Sequence, residues 1–156
     1  MSADVGSKAP DFTLKNQDMQ DVTLSTGLGR QSTVLAFFPA AFTSVCTKEM
    51  CTFRDQIAQL NRANAQVYGI SIDTPFTLKV FAQQNGLTFP LLSDFNKHVI
   101  RAYGVYLEDF AGGMKGVAKR SVFLIDRQGT IRYLEVTAGP GTEPDYKRLN
   151  EAIAAL

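Results

Sequence analysis

Short apolar runs alternate along the chain with segments whose apolar residues recur at helical spacing. Residues 33–38 (TVLAFF) and 67–72 (VYGISI) are typical of buried strands, because each run is short, apolar and bounded by polar or turn-forming residues. Between these runs the apolar positions step by three or four residues, which is the spacing of one helical face, at Cys46, Met50, Phe53, Ile57 and Leu60. The pattern therefore predicts a strand, a helix over residues 43–61 and a second strand.

Weaker patterns flank this unit on both sides. Residues 12–14 and 22–24 alternate around a polar turn at residues 16–21 and predict an N-terminal β-hairpin. Residues 89–92 predict a further short strand. Residues 107–119 contain three glycines and predict a loop.

Three more helices are predicted from their start and stop signals. A helix that begins at Thr74, with proline in its first turn, is expected to bury its apolar residues, Phe76, Val80 and Phe81. A short helix capped by Asp94 is expected to end at Gly104. The last helix is expected to begin near Pro144.

The C-terminal half decides between two fold classes. Residues 121–125 and 131–136 flank a four-residue turn (DRQG), which is a strong hairpin signal. A β-α-β unit followed by a hairpin and a helix predicts a thioredoxin-like α/β sandwich, with a mixed central sheet, helices on both faces and the N-terminal β-hairpin, as a single domain over residues 1–156. A doubly wound flavodoxin-like sheet is the alternative, and the hairpin argues against it because that fold alternates strands and helices strictly.

Composition and charge exclude several classes of protein and partner. The 156 residues are 45% hydrophobic and 20% charged, which excludes collagen, a long coiled coil and a disordered chain. The formal net charge is +1, so we expect neither a nucleic acid nor a membrane surface as partner. The most apolar stretch, residues 34–42, is too short to span a bilayer, and residues 1–12 lack the pattern of a secretory signal. A cytoplasmic location is therefore expected.

The two cysteines, Cys46 and Cys51, limit the metal and disulfide chemistry. Two cysteines are too few for a secreted scaffold that depends on disulfides. With a single histidine they also make a poor metal site, because structural zinc usually needs four ligands. No bound metal is expected.

The candidate chemistry lies in residues 37–51 (FFPAAFTSVCTKEMC). Cys46 falls in the first turn of the predicted helix, where unpaired backbone N–H groups and the positive end of the helix dipole favour a thiolate over a thiol. With Thr43 as the N-cap, Cys46 takes the third helical position, which a capping box fills with an acidic residue. The alternative is a small apolar residue buried on the helix face, and the position at the helix start favours a reactive cysteine instead.

Cys51 lies five residues beyond Cys46 in the same predicted helix. In an unbroken helix their Cα atoms would be about 8 to 9 Å apart, whereas a disulfide requires less than about 7 Å. A permanent disulfide between them is therefore disfavoured. A switch is favoured, in which Cys46 reacts while the helix is folded and local unfolding then brings it to Cys51.

The stretch resembles the active-site motif of the peroxiredoxins, Pro-x-x-x-Thr/Ser-x-x-Cys, through Pro39, Thr43 and Cys46. Arg120, just before a late predicted strand, matches a further residue of that family. Residues 9–14 (APDFTL) and the later FPLLSD segment extend the resemblance over nearly the whole chain.

The second cysteine places the chain within the family. Cys51, preceded by Thr47 and Glu49, is most similar to the bacterioferritin-comigratory (Q-type) branch. Phe42, which precedes the threonine of the motif, is more similar to the E-type branch, whose members use one cysteine.

The resemblance implies a thiol-dependent peroxidase that reduces hydrogen peroxide and organic hydroperoxides without a metal or organic cofactor. It assigns Cys46 as the peroxidatic thiolate, with Arg120 stabilising the sulfur and the developing charge. Thr43 and nearby backbone N–H groups would position the peroxide, and Pro39 would shield the sulfur. Glu49 would orient Arg120 through a bidentate pair.

The resemblance also implies how the enzyme is recycled. The sulfenic acid formed on Cys46 would condense with Cys51, the resolving cysteine, to an intramolecular disulfide. A thioredoxin or glutaredoxin-like dithiol protein would reduce that disulfide, and the protein would be a monomer or a homodimer. Two alternatives stay open: a one-cysteine peroxidase in which Cys51 is a bystander, and a thioredoxin-fold redox sensor or holdase.

Overall fold

A mixed β-sheet forms the centre of the protein in a computed structural model that describes residues 3–156. Within these residues the chain forms nine strands, β1 (Thr13–Asn16), β2 (Asp21–Thr23), β3 (Ser32–Phe37), β4 (Ala65–Ser71), β5 (Leu91–Ser93), β6 (Tyr106–Leu107), β7 (Val117–Ala118), β8 (Ser121–Ile125) and β9 (Ile131–Val136). Seven of them build one sheet in the order β2-β1-β5-β4-β3-β8-β9, while β6 and β7 form a separate two-stranded ribbon.

The same residues form five helices, α1 (Leu24–Leu28), α2 (Ser44–Arg62), α3 (Pro75–Asn85), α4 (His98–Ala102) and α5 (Tyr146–Ala154). The ends of α3 follow the predicted signals, since the Thr74 hydroxyl accepts the N–H of Thr77 and Gly86 closes the helix at φ 61°. The N-cap of α4 is Lys97 and not Asp94 as predicted, but the Asp94 carboxylate, three residues earlier, accepts the N–H groups of Val99 and Ile100. In this part of the chain no helix has the length and apolar character needed to cross a membrane.

Parallel and antiparallel pairs are combined in the central sheet. β3 pairs with β4 and β4 with β5 in parallel, whereas β8 pairs with β3 and β9 with β8 in antiparallel orientation. The N-terminal hairpin is confirmed by the antiparallel pairing of β1 with β2. The late hairpin excludes the strictly alternating flavodoxin-like sheet.

Alternating residues of β3 separate the core into two layers. Val34 and Ala36 pack with the buried faces of α2, α3 and α5, whereas Leu35 and Phe37 pack with α1 and α4 on the opposite face of the sheet. Every residue of β3 is buried, so the strand carries apolar side chains on both faces. The predicted thioredoxin-like sandwich, with helices on both faces of a mixed sheet, is confirmed.

Three local expectations are wrong. Leu24 was expected at the end of the hairpin, but it begins α1, whose second N–H, from Ser25, is accepted by the Asp11 side chain. Phe81 is buried as expected, but Phe76 and Val80 are exposed, because α3 packs through Leu78, Phe81 and Ala82. Leu78 lies about 200° around the helix from Phe76. The glycine-containing loop includes the short ribbon of β6 and β7.

Candidate active site

Strand pairing brings distant chain segments to one end of the sheet. At the end of β3, Phe37 pairs with Ile70 of β4 on one side and with Ser121 of β8 on the other. The chain that leaves β3 therefore runs beside Arg120, which directly precedes β8, although 74 residues separate Arg120 from Cys46.

Cys46 lies at the N-terminal end of α2. The N-cap is Thr43 and the helix begins at Ser44, so Cys46 is the third helical residue, as the spacing predicts. Its side chain is fully buried, in a first turn that contains no acidic residue. The Thr43 hydroxyl donates to the backbone oxygen of Ala40 at 2.9 Å and does not cap the helix. The N–H groups of the first turn can therefore stabilise an anion at this position.

The Arg120 guanidinium links Cys46 to Glu49, one turn further along α2. Nη2 donates to Cys46 Sγ at 3.0 Å, and Nη1 donates to Glu49 Oε1 at 2.6 Å. The Arg120 and Glu49 side chains are only 1% and 0% exposed, so this ion pair is shielded from solvent. The pair therefore holds a positive charge in direct contact with the sulfur.

A backbone carbonyl holds another edge of the guanidinium. Nε and Nη2 of Arg120 both donate to the oxygen of Pro140, at 3.0 and 2.8 Å. Pro140 is close because it follows β9, whose Val136 pairs with Ser121, and because the Thr137 N–H donates to the Arg120 backbone oxygen at 3.0 Å. The sequence did not predict this contact, because every residue has a backbone carbonyl and no residue type marks the one that binds.

Glu49 holds Arg120 through one oxygen, so the bidentate pair predicted from the sequence is wrong. The Nη2 hydrogens of Arg120 are directed to Cys46 and Pro140, which leaves Nη1 for the carboxylate. Glu49 Oε2 is buried and has no hydrogen-bond partner among residues 3–156. Hydrogen bonds therefore compensate only in part for the removal of this carboxyl from water.

The electrostatics of the ion pair follow from its burial. Burial raises the pKa of the Glu49 carboxyl from 4.5 to about 7, although the Arg120 charge opposes this shift. Burial also acts to lower the pKa of Arg120, but the charges of Glu49 and Cys46 outweigh it, so that pKa is raised. Arg120 therefore stays protonated, while Glu49 can change its charge near neutral pH.

We expect this raised pKa to appear in the pH dependence of stability. Between about pH 4.5 and 7, folded Glu49 keeps a proton that the unfolded chain has lost, so its contribution to the free energy of unfolding falls as pH rises through that window. The loss is about 3 kcal/mol, at ~1.4 kcal/mol per pKa unit. Urea unfolding of wild type and Glu49→Gln across this range measures it, because glutamine keeps the acceptor for Nη1 and does not titrate. Parallel pH profiles of the two proteins would contradict the assignment.

The loop that joins β3 to α2 contains a strained residue. Pro39 is buried at the start of the loop. Phe42 has φ 70°, in the left-handed region that bulky residues rarely adopt, and its half-exposed ring packs edge-on against Phe81 at a centroid distance of 5.2 Å. Such strain beside the N-cap of α2 is typical of functional loops, where the surrounding structure compensates for it.

Residues 5–134 match the model of the AhpC/TSA family, a range that includes Thr43, Cys46, Glu49 and Arg120. The chain belongs to this family, the peroxiredoxins. It is therefore a peroxidase, and the resemblance stated from the sequence is confirmed.

Relatives and solved structures support the assignment of the chain as a peroxiredoxin. Alkyl hydroperoxide reductase E of Mycobacterium tuberculosis is 42% identical over 154 residues, which cover 97% of each chain. A putative peroxiredoxin of the same organism is 44% identical over 128 residues, covering 81% of this chain and 80% of that protein. The crystal structure of peroxidoxin BcpB from Mycobacterium tuberculosis matches with a TM-score of 0.83 at 30% identity, over 97% of this chain and 95% of that one.

The second cysteine of this peroxiredoxin has its own contact, apart from the Arg120 cluster. Cys51 is partly buried, and its thiol lies 3.7 Å from Oδ1 of Asn85, the last residue of α3. Arg54 Nη1 donates to the Asn85 backbone oxygen at 2.6 Å, so this turn of α2 is attached to the end of α3. Both cysteines are free and α2 is continuous. The structure thus brings Cys46, Glu49 and Arg120 together and leaves Cys51 at a different contact.

Proposed function

We propose that Cys46 is the peroxidatic nucleophile of this peroxidase. Its thiolate attacks one oxygen of hydrogen peroxide or an organic hydroperoxide, so that an S–O bond forms while the O–O bond breaks. Cys46 becomes a sulfenic acid, and the second oxygen leaves as hydroxide or alkoxide and takes up a proton. The observation that carries this proposal is the guanidinium of Arg120 at 3.0 Å from a buried sulfur at a helix N-terminus.

The surrounding groups support the same step. Negative charge moves from sulfur to oxygen during the attack, and Arg120 is a fixed donor that can interact with both. In the proposal, the Thr43 hydroxyl and the N–H groups of the first turn of α2 position the peroxide. Pro39, which is buried in the loop before Thr43, shields the sulfur from water. Glu49 positions Arg120.

The proposed second step joins the two cysteines. The Cys51 thiol attacks the sulfenic sulfur of Cys46, which forms a disulfide and releases water. Because α2 is continuous and the Cys51 thiol contacts Asn85, this step requires the first turns of the helix to unwind. Oxidation favours unwinding, since a neutral sulfenic acid interacts with Arg120 less strongly than a thiolate does.

The catalytic cycle closes with an external dithiol. We propose thioredoxin or a glutaredoxin-like protein as the reductant, and a cytoplasmic location, where such dithiols act. The proposed chemistry uses sulfur and protein donors, so it needs no metal or organic cofactor. Cys46, Thr43, Glu49 and Arg120 come from one chain, so a monomer or a homodimer can carry the complete site.

A peroxide titration with intact-mass analysis tests the two-cysteine cycle. One equivalent of hydrogen peroxide is expected to leave the protein lighter by two hydrogens, with Cys46 and Cys51 in one cross-linked peptide. Cys51→Ser is the matched variant: it is expected to react with peroxide once, to accumulate sulfenic acid on Cys46 and to stall with thioredoxin as reductant. Sulfenic or sulfinic Cys46 beside a free Cys51 in the wild type would contradict the resolving role.

A one-cysteine cycle is the second candidate. The contact of Cys51 with Asn85 favours it, because it holds the thiol at α3 while the helix is folded. In that cycle an external thiol reduces the sulfenic acid on Cys46 directly, and Cys51→Ser turns over at the wild-type rate with a small thiol reductant. The same titration therefore decides between the two candidates.

A further inference from the structure

A carboxylate outside the Arg120 cluster binds the loop between β3 and α2. The N–H of Ala41 donates to Oδ2 of Asp73 at 2.8 Å. Asp73 follows β4, and β4 runs parallel to β3, so the chain segments that leave the two strands lie side by side. The Phe38 N–H, which donates to the Ile70 oxygen at 3.0 Å, continues this pairing beyond the end of β3.

Asp73 is itself held by the ends of two strands. The Ser71 hydroxyl donates to Asp73 Oδ2 at 2.6 Å, and the Asp73 N–H donates back to that hydroxyl oxygen at 3.2 Å. The Ser93 hydroxyl, at the end of β5, donates to the Asp73 backbone oxygen at 2.6 Å. The carboxylate therefore has a fixed position, from which it can orient a neighbouring loop.

The peptide unit between residues 40 and 41 connects Asp73 to Thr43. Its N–H donates to Asp73, and its carbonyl oxygen accepts the Thr43 hydroxyl at 2.9 Å. Hydrogen bonds arranged in a chain polarise one another, so the negative carboxylate makes this carbonyl a stronger acceptor. The hydrogen of the Thr43 hydroxyl is thereby directed to the carbonyl, which leaves the oxygen as an acceptor for the O–H of a peroxide.

We propose that Asp73 is a positioning residue that acts through the peptide unit between residues 40 and 41 to orient the Thr43 hydroxyl toward the peroxide. The inference rests on the proposed function, in which Thr43 binds substrate. Asp73 touches neither the sulfur nor the substrate in this scheme. Its effect is to keep one acceptor in the place where the reacting O–H arrives.

Backbone strain in the loop explains why the hydrogen bond from Ala41 to Asp73 is needed. Phe42 lies between the peptide unit that Asp73 holds and the N-cap Thr43, and it has φ 70°. A bulky residue keeps this conformation only when its surroundings enforce it. The bond from Ala41 to Asp73 and the packing of the Phe42 ring on Phe81 are two contacts that do so, one at the backbone and one at the side chain.

The test is a double-mutant cycle on the rate of the first step. Asp73→Ala is expected to lower the second-order rate constant with hydrogen peroxide about tenfold, the size of one hydrogen bond to a charged group. Thr43→Val is expected to lower it further, and adding Asp73→Ala to Thr43→Val is expected to change it by no more than about twofold, because the group that Asp73 orients is gone. Stopped-flow measurement under single turnover gives these constants.

Two readouts separate positioning from a general loss of structure. Alkylation of Cys46 by iodoacetamide does not use Thr43, so its rate is expected to match the wild type in Asp73→Ala. Asp73→Asn keeps an acceptor oxygen and is expected to recover part of the lost peroxide rate. If Asp73→Ala does not fold, Ser71→Ala, which removes one donor to the carboxylate, gives a smaller fall in the same direction.

Asp126→Ala is the matched control. The Asp126 carboxylate also accepts loop N–H groups, from Gln128 and Thr130 at 2.9 Å each, but it lies in the β8–β9 turn near the start of β3, where Ile125 pairs with Thr33. Its loss is expected to lower stability and to leave the peroxide rate unchanged.

Two results would overturn the inference and leave the proposed function intact. One is a double variant whose loss of rate equals the sum of the losses, in free energy, of Asp73→Ala and Thr43→Val. The other is a wild-type rate in Asp73→Ala together with a large loss of rate in Thr43→Val. An unchanged rate in Thr43→Val would instead refute the role of Thr43 in the proposed function, and the inference with it.

Discussion

Replacing Cys46 by serine is expected to lower peroxide turnover more than about a thousandfold, because the variant loses the proposed nucleophile. A serine hydroxyl stays protonated at neutral pH, even beside Arg120 and the first turn of α2. The groups proposed to position the peroxide remain in this variant, but the thiolate that would accept the peroxide oxygen is gone. Coupled reduction assays with a dithiol measure the residual rate.

The loss of turnover reports on the nucleophile only if Cys46→Ser keeps the fold. The substitution is conservative enough for us to expect that it does. Serine is close to cysteine in volume, and its hydroxyl can accept the bond from Arg120 Nη2. Circular dichroism and urea unfolding of Cys46→Ser check this point. Cys51→Ser is the paired control, since it removes a thiol from the same helix and is expected to retain the first reaction with peroxide. Full activity in Cys46→Ser would refute the proposed mechanism.

Replacing Arg120 by lysine is expected to slow the reaction with peroxide about 100-fold while the charge is retained. Arg120 donates to Cys46, Glu49 and Pro140 at the same time through the planar arrangement of its nitrogens. A lysine ammonium is a compact charge that cannot reach all three acceptors in that arrangement. Stopped-flow measurement of the rate constant with hydrogen peroxide checks this expectation.

Removal of the charge needs a compensated variant. Arg120→Met leaves the Glu49 carboxyl buried without its partner, so it is destabilised or takes up a proton, and the rate of that single variant would mix the two losses. Arg120→Met combined with Glu49→Gln removes both charges, so its rate can be compared with that of Glu49→Gln alone. A loss of rate in the double variant that is absent from Glu49→Gln assigns the effect to the guanidinium. Equal rates in these two proteins would contradict the proposed role of Arg120.

The parts of the site that the sequence could predict depend on local spacing. The position of Cys46 in the first turn of α2 follows from the strand that ends before Pro39 and from the helical period that begins after Thr43. The rules for where a strand ends and a helix begins depend on neighbouring residues, and this segment of the chain follows them. The partner atoms of Arg120 were harder to predict, because the Pro140 carbonyl is set by strand pairing and changes how Glu49 can bind.

The same limit applies to the fold. The β-α-β unit and the two hairpins follow from short patterns, and the structure contains them. The orientation of α3 does not follow from such a pattern. Phe76 and Val80 form an apolar pair on one side of this helix, and Leu78 lies on the other side. Which side is buried depends on the neighbouring β5 and α2. An apolar pattern predicts that a helix forms more reliably than it predicts how the helix is rotated.

The two bonds from Arg120 to the Pro140 carbonyl have a consequence for repeated turnover. Neither bond involves α2, so in the proposed two-cysteine cycle both can persist while the helix is unwound and the disulfide is present. The guanidinium then stays near its working orientation during each oxidised interval. In that cycle, once a dithiol has reduced the disulfide and α2 has re-formed, Cys46 returns to a guanidinium that is already oriented, so the reactive arrangement is restored without a second rearrangement.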